Sequence, residues 1–118
     1  MTLAGGFAGT ILHVDLTRRR IHREPLDARL ARDFIGGLGL CFRLALDAIK
    51  PGTDPFSPDN PIILGAGPLV GTDVPSSSRV YGVTKFPATG AVGWCGAGGM
   101  TFGCRLKQAG YDHIIITG

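Results

Sequence analysis

The sequence lacks several features that would place it in a class at once. Its 118 residues contain no apolar stretch near the ~20 residues that a transmembrane helix needs. No basic segment followed by an apolar run opens the chain, so we find no secretory signal. The three cysteines, Cys41, Cys95 and Cys104, form no Cys-x-x-Cys pair. These absences predict a cytoplasmic protein without a membrane segment, with cysteines that are small buried residues rather than metal ligands or disulfide partners.

What the chain has in excess is glycine. There are 19 glycines and eight prolines, scattered rather than periodic, which excludes collagen and low-complexity sequence. With 44% hydrophobic and 18% charged residues, the composition predicts one folded domain over residues 1–118. The net charge of +3 permits an anionic ligand without requiring nucleic acid. The three arginines at 18–20 have no interleaved aromatics, so we interpret them as a solvated hairpin turn.

Short strands and a few helices follow one another without regular βαβ alternation. Asp27 is a predicted N-cap for a helix whose inward face is Leu30, Ala31, Phe34 and Ile35. The pattern predicts a mainly β chain of the α+β class. The Ile-rich final strand requires neighbours on both faces, which favours a longer parent chain. The predicted strands are 10–16, 21–24, 61–64, 79–85, 91–95 and 112–117. Two further helices are predicted. One begins after Gly36-Gly37 and ends before Pro51-Gly52, and the other covers residues 101–108 and is closed by Gly110.

The segment from Gly65 to Gly110 concentrates glycine, small hydroxyl residues and one arginine, as a surface shaped around a ligand would. Residues 93–103 leave a strand and enter a helix, where free N–H groups and the helix dipole favour an anion. A tight connection without a ligand is the alternative. Neither the Gly-x-Gly-x-x-Gly nor the Walker pattern is present. Arg79 presents a fork of hydrogen-bond donors suited to planar ligands or phosphate, but it can also be interpreted as an ordinary surface arginine. The same two interpretations, ligand-binding or ordinary surface residue, apply to Lys85.

The histidines give no catalytic pattern. His13, His22 and His113 lie far apart in the sequence, on or near predicted strands, and we interpret them as structural. No Ser-His-Asp or Cys-His arrangement accompanies them. The residues by themselves therefore demonstrate no chemistry.

Seven segments nevertheless occur in an order that points to a family: GTILHVDLT (9–17), FIGGLGL (34–40), DPFSPDN (54–60), GAGPLVGT (65–72), PSSSR (75–79), TKFPATG (84–90) and LKQAGYD (106–112). Together they resemble the N-terminal domain of the aldehyde ferredoxin oxidoreductases, the tungsten-pterin enzymes. The resemblance covers nearly the whole chain. It implies a mainly β platform, incomplete on its own, on which a tungsten (or molybdenum) bis-pterin cofactor lies.

The resemblance also implies site residues. Arg79 falls on the arginine that contacts pterin and links it to a nearby 4Fe-4S cluster. The main-chain carbonyl of Gly96 falls on a position that helps to hold a magnesium ion between the two pterin phosphates. Family members often carry Asn there, and this chain is one residue longer between Gly99 and Leu106. The loop that contacts the pterin and its phosphate is matched by Gly96, Ala97, Gly98 and Gly99.

The complete enzyme implied by the resemblance oxidises an aldehyde with water to a carboxylic acid and passes two electrons through the cluster to ferredoxin. The domains that hold the cluster and the substrate-proximal groups lie beyond residue 118, so we expect this part by itself to be inactive. An oligomer is compatible with this reading. Two alternatives remain: the platform of a relative acting on aromatic acyl thioesters or hydroxy acids, and a stand-alone module for a pterin, another phosphate ligand or RNA.

Overall fold

The computed structural model describes residue 3, residues 5–99 and residues 101–118. They form one six-stranded mixed sheet in the order β2-β1-β6-β3-β4-β5, with three short helices. The pair β1–β6 is parallel and the other four pairs are antiparallel. The predicted α+β class is confirmed. The elements are β1 (Thr10–Asp15), β2 (Arg20–Pro25), α1 (Ala28–Phe34), α2 (Gly37–Ala48), β3 (Ile62–Ala66), β4 (Val80–Lys85), β5 (Val92–Ala97), α3 (Phe102–Gln108) and β6 (His113–Thr117).

Helix α1 begins where the sequence predicts. The Asp27 carboxylate accepts a hydrogen bond from the Arg29 N–H at 2.8 Å, as an N-cap does. The prediction that Phe34 and Ile35 face the core was wrong, because these side chains are 37% and 71% exposed. Ile35 adopts a left-handed φ of 64°, which ends the helix and turns its side chain away from the helical face.

The core lies between α2 and one face of the sheet. Helix α2 packs on β3 and β4, and α1 packs on α2. The Ile-rich strand β6 is central in the sheet, between β1 and β3, so its Ile115 faces this core while Ile114 packs against a smaller cluster under α3. The buried cluster on the α2 side comprises Ile11, Leu26, Ala31, Leu40, Cys41, Ala45, Ile63, Val83 and Ile115.

Gly65 is used for packing rather than for a ligand surface. A Cβ at this position would overlap both the His113 ring and the Cys41 sulfur. His113 is fully buried, with Nε2 3.3 Å from the Gly37 carbonyl oxygen and Nδ1 without a hydrogen-bond partner in the described part of the chain. Burial lowers the pKa of His113 to about 4, so the ring is neutral at pH 7. The interpretation of His113 as a structural residue agrees with this packing.

The prediction that the cysteines are buried holds for one of the three. Cys41 is buried, and burial raises the pKa of its thiol to about 12. Cys104 is half-buried and Cys95 is exposed. Cys95 lies on the edge strand β5, where it pairs with Gly82 of β4. Its side chain faces the side of the sheet that α2 does not cover. Among the described residues, none of the helices is long and apolar enough to cross a membrane.

Candidate functional site

The edge of the sheet formed by β4 and β5 brings together segments that are separate in the sequence. Arg79 directly precedes β4, and the run of small residues ends β5. The register pairs Tyr81 with Gly96 and Val80 with Ala97. Since side chains alternate between the two faces of a strand, Tyr81 and Gly96 share the face that carries α2, and the Ala97 side chain lies on the opposite face.

The guanidinium of Arg79 occupies the space that glycine leaves on β5. A Cβ on Gly96 would lie 3.2 Å from Arg79 Nη1 and 3.5 Å from the Tyr81 ring, and one on Gly98 would lie 4.0 Å from Arg79 Nη2. Arg79 is exposed, and among the described residues it forms no ion pair and no side-chain hydrogen bond. Its donors are therefore available to a ligand at this edge.

The backbone of Gly96 is available at the same place. Phe86 N–H donates to the Ala91 carbonyl at 2.9 Å, next to the pair Lys85–Val92. Hydrogen-bonded and non-hydrogen-bonded pairs alternate along an antiparallel ladder, so the pair Tyr81–Gly96 is of the second kind. Because β5 is the edge strand, the N–H and carbonyl of Gly96 point away from β4 toward the open edge.

The connection between β5 and α3 is shorter than the sequence predicts. Strand β5 continues to Ala97 rather than ending at residue 95, so Gly96 belongs to the strand. Gly99 has a φ of 119° and open space around its Cβ position. The helix that follows has seven residues, and the Thr101 side chain makes no capping hydrogen bond. A helix this short adds little to anion binding, which is left to Arg79 and the strand edge.

Two aromatic residues of the site were not predicted from the sequence. The Tyr81 and Trp94 rings meet edge-on, with centroids 5.9 Å apart and planes at 62°. Trp94 is two residues before Gly96 on the same face of β5, and it is 53% exposed. A tryptophan placed between Gly93 and Gly96 on a predicted strand is the signal that could have indicated it.

The other candidate residues lie elsewhere. Lys85 donates to the Thr53 carbonyl at 2.6 Å, and this contact makes it a structural residue. His13 stacks on His22 with centroids 4.2 Å apart. Across the described ranges, no three His, Cys, Asp or Glu side chains come together as a metal site. A concavity of about 500 Å³ does not have Arg79 in its lining, which consists of Asp15, Thr17, Arg18, Ala48, Lys50, Thr53, Pro58, Asp59, Thr117 and Gly118.

Comparison with known proteins supports the resemblance found in the sequence. The family model "Aldehyde ferredoxin oxidoreductase, N-terminal domain" matches residues 11–118. Tungsten-containing aldehyde ferredoxin oxidoreductase of Pyrococcus furiosus is 42% identical over 110 residues, which is 93% of this chain and 18% of that protein. The enzyme of the same name from Pyrococcus abyssi is 41% identical over 113 residues, which is 96% of this chain and 18% of that protein.

A solved structure shares the fold. It is the active site complex BamBC of benzoyl coenzyme A reductase in complex with 1,5-dienoyl-CoA, with a TM-score of 0.93 and 37% identity. The match covers 97% of this chain and 17% of that one. The chain therefore spans about a fifth of the length of the proteins that it matches.

Proposed function

The chain belongs to the aldehyde ferredoxin oxidoreductase family, and from this premise we propose that it supplies part of the surface that holds a tungsten bis-pterin cofactor in a longer oxidoreductase. One observation carries the proposal: the exposed Arg79 guanidinium lies against the glycine edge of β5, where the backbone of Gly96 is free. The names of the relatives support tungsten as the metal.

The donor set fits such a cofactor. Two pterin phosphates and a bridging cation need a charged fork, free amides and hard oxygen ligands. Arg79 supplies the fork and would bind pterin or phosphate. The Gly96 carbonyl at the open edge would be an oxygen ligand for magnesium, and the absence of a side chain at Gly96 lets the Arg79 guanidinium lie against the strand beside that carbonyl. The main chain of Ala97 and Gly99 completes the proposed contact surface.

The proposed activity of the whole protein is the oxidation of an aldehyde and water to a carboxylic acid, two protons and two electrons. A bound tungsten bis-pterin centre supplies the two-electron redox chemistry for this conversion. The residues of this chain would hold and orient the cofactor: Arg79 would neutralise its charge, and the Arg79 N–H donors would link the pterin to a 4Fe-4S cluster. That cluster, ferredoxin as the electron acceptor and the substrate-proximal groups are proposed for the remainder of the longer protein.

The structural neighbour favours a second candidate. That neighbour is the active site complex of benzoyl coenzyme A reductase with 1,5-dienoyl-CoA, so the same platform is compatible with reduction of an aromatic acyl thioester. Aldehyde-dependent reduction of a viologen dye by the full-length protein would support the first candidate. Oxidation of reduced dye that depends on an aromatic acyl thioester would support the second.

Arg79→Ala in the full-length protein tests the cofactor site. It removes charge-assisted hydrogen bonds of roughly 1.5–3 kcal/mol each, which corresponds to binding weaker by about 10- to 150-fold. We expect less tungsten and less pterin per purified chain, measured by elemental analysis and by fluorescence of the released, oxidised pterin. The melting temperature of the cofactor-free protein should not change, because Arg79 is exposed and has no ion pair among the described residues.

Two further variants make the test specific. Arg79→Lys keeps the charge but loses the planar fork, so its cofactor content should lie between those of the wild type and the alanine variant. Arg29→Ala removes another exposed arginine, on α1, and should leave the content unchanged. Full tungsten and pterin content in Arg79→Ala would refute the role of Arg79.

A further inference from the structure

The aromatic pair Tyr81 and Trp94 lies beside Arg79 and Gly96. Tyr81 is held on both sides. Its ring is 3.8 Å from the Cβ position of Gly37 at the start of α2, and 3.5 Å from that of Gly96 on β5. The Tyr81 ring therefore lies between these two glycines, and its edge-on contact with Trp94 orients the indole on the outer strand.

The exposure of Trp94 is not explained by packing within this chain. It is the only tryptophan of the sequence, and more than half of its surface is open to water. Helix α2 covers β3 and β4 on this face, but among the described residues no helix packs extensively on β5. A large aromatic ring beside a guanidinium that forms no ion pair in the described part of the chain is a combination that binds planar conjugated groups with an anionic end.

The spacing along β5 fits such a group. Residues 94 and 96 lie on the same face of the strand, about 7 Å apart. The phosphate-binding groups are at one end of this interval, and the indole is at the other. A ligand whose phosphate contacts Arg79 and the Gly96 backbone would lay an attached ring system over residue 94.

We propose that Trp94, fixed by Tyr81, is the stacking surface for the conjugated ring of a pterin whose phosphate end is bound at Arg79 and Gly96. The inference rests on the proposed function and adds to it a positioning residue for the cofactor. Trp94 contributes through its π face rather than through a hydrogen bond, so phenylalanine should replace it and leucine should not. The competing occupant is polypeptide from the rest of a longer protein.

Hydroxyl-radical footprinting with mass spectrometry separates these occupants at the level of one residue. The full-length protein is compared in its cofactor-loaded form and after removal of the cofactor. We expect Trp94 to be oxidised several-fold more slowly in the loaded form. Phe56, an exposed aromatic in the loop before β3, should be oxidised at the same rate in both forms.

Retention of the cofactor provides the second readout. Loaded Trp94→Leu should release pterin about tenfold faster than the wild type during dialysis, whereas Trp94→Phe should stay within about twofold. Phe56→Leu is the matched control and should behave as the wild type. Melting temperatures of the cofactor-free variants establish that each one is folded.

The outcomes are distinct. Equal oxidation of Trp94 in both forms, or equal protection in both because polypeptide covers it, would overturn the inference. So would unchanged pterin release from Trp94→Leu. A wild-type protein without pterin or tungsten would refute the proposed function itself. Loss of pterin in Arg79→Ala together with an unprotected Trp94 would refute only the role of Trp94.

Discussion

Replacing Asp112 with alanine should strongly destabilise the domain, because this one carboxylate satisfies several groups at once. Asp112 is fully buried and directly precedes β6. It accepts hydrogen bonds from the backbone N–H of Ala8 at 2.9 Å and of Gly9 at 2.6 Å, and it pairs with the Lys107 ammonium. Lys107 is 10% exposed and also donates to the Gly6 carbonyl. The segment before β1 is thereby fixed to the sheet and to α3.

The magnitude follows from these contacts. Removing one partner of a buried ion pair costs about 3–5 kcal/mol, since the other charge remains buried without compensation. The two N–H groups left without an acceptor add about 1–3 kcal/mol each where water cannot replace the carboxylate. We therefore expect Asp112→Ala to lower the free energy of unfolding by at least about 4 kcal/mol. That is a large part of the 5–15 kcal/mol that is typical of a domain.

A double-mutant cycle in urea tests the assignment, with unfolding followed by circular dichroism. Lys107→Met alone leaves a buried carboxylate, and Asp112→Ala alone leaves a buried ammonium. The double variant leaves neither, so it should be less destabilised than the sum of the two single variants by about 2 kcal/mol. Asp112→Asn keeps one acceptor and should lie between the wild type and Asp112→Ala. Additive losses, or a loss below about 1 kcal/mol for Asp112→Ala, would refute the reasoning.

Two further predictions concern the packing around His113. Its pKa is about 4 in the folded chain against a reference value of 6.5, so below pH 6.5 the unfolded chain binds a proton that the folded chain does not. The free energy of unfolding should fall as the pH falls from 6.5 toward 4, by about 1.4 kcal/mol per pH unit. His113→Leu should flatten that part of the profile of urea midpoints, and an equal slope in both proteins would contradict the assignment. Gly65→Ala should lower the free energy of unfolding by about 3 kcal/mol because the new methyl group displaces His113 and Cys41. The control Gly67→Ala meets open space and should change the urea midpoint little. Equal effects of the two substitutions would contradict the packing.

Local signals in the sequence predicted the elements well. Alternation and helical periodicity placed all six strands and three helices within about two residues of their bounds, and the Asp27 cap was predicted with its role. The failures have one physical cause. Whether Ile35 and Cys95 are buried depends on which surface covers them, and whether Gly65 lines a ligand site or a core depends on His113, 48 positions later. These are tertiary properties that no local pattern contains.

The candidate site shows the same division. Arg79 and the glycines were predicted through the family resemblance, and their roles remain proposals. Their contact depends on the register of β4 with β5, which pairs Tyr81 with Gly96. A single sequence does not show that register, so Trp94, two residues along the same strand, could not be connected with Arg79 in advance.

The two edges of the sheet differ in a way that supports a binding role for β5. An exposed strand edge invites unwanted pairing, and proteins usually protect it with charged residues or proline. Strand β2 at one edge follows this rule, since four of its six residues are Arg20, Arg23, Glu24 and Pro25. Strand β5 at the other edge has neither a charge nor a proline in the sequence VGWCGA. A binding partner at this edge would protect the strand where its own side chains do not.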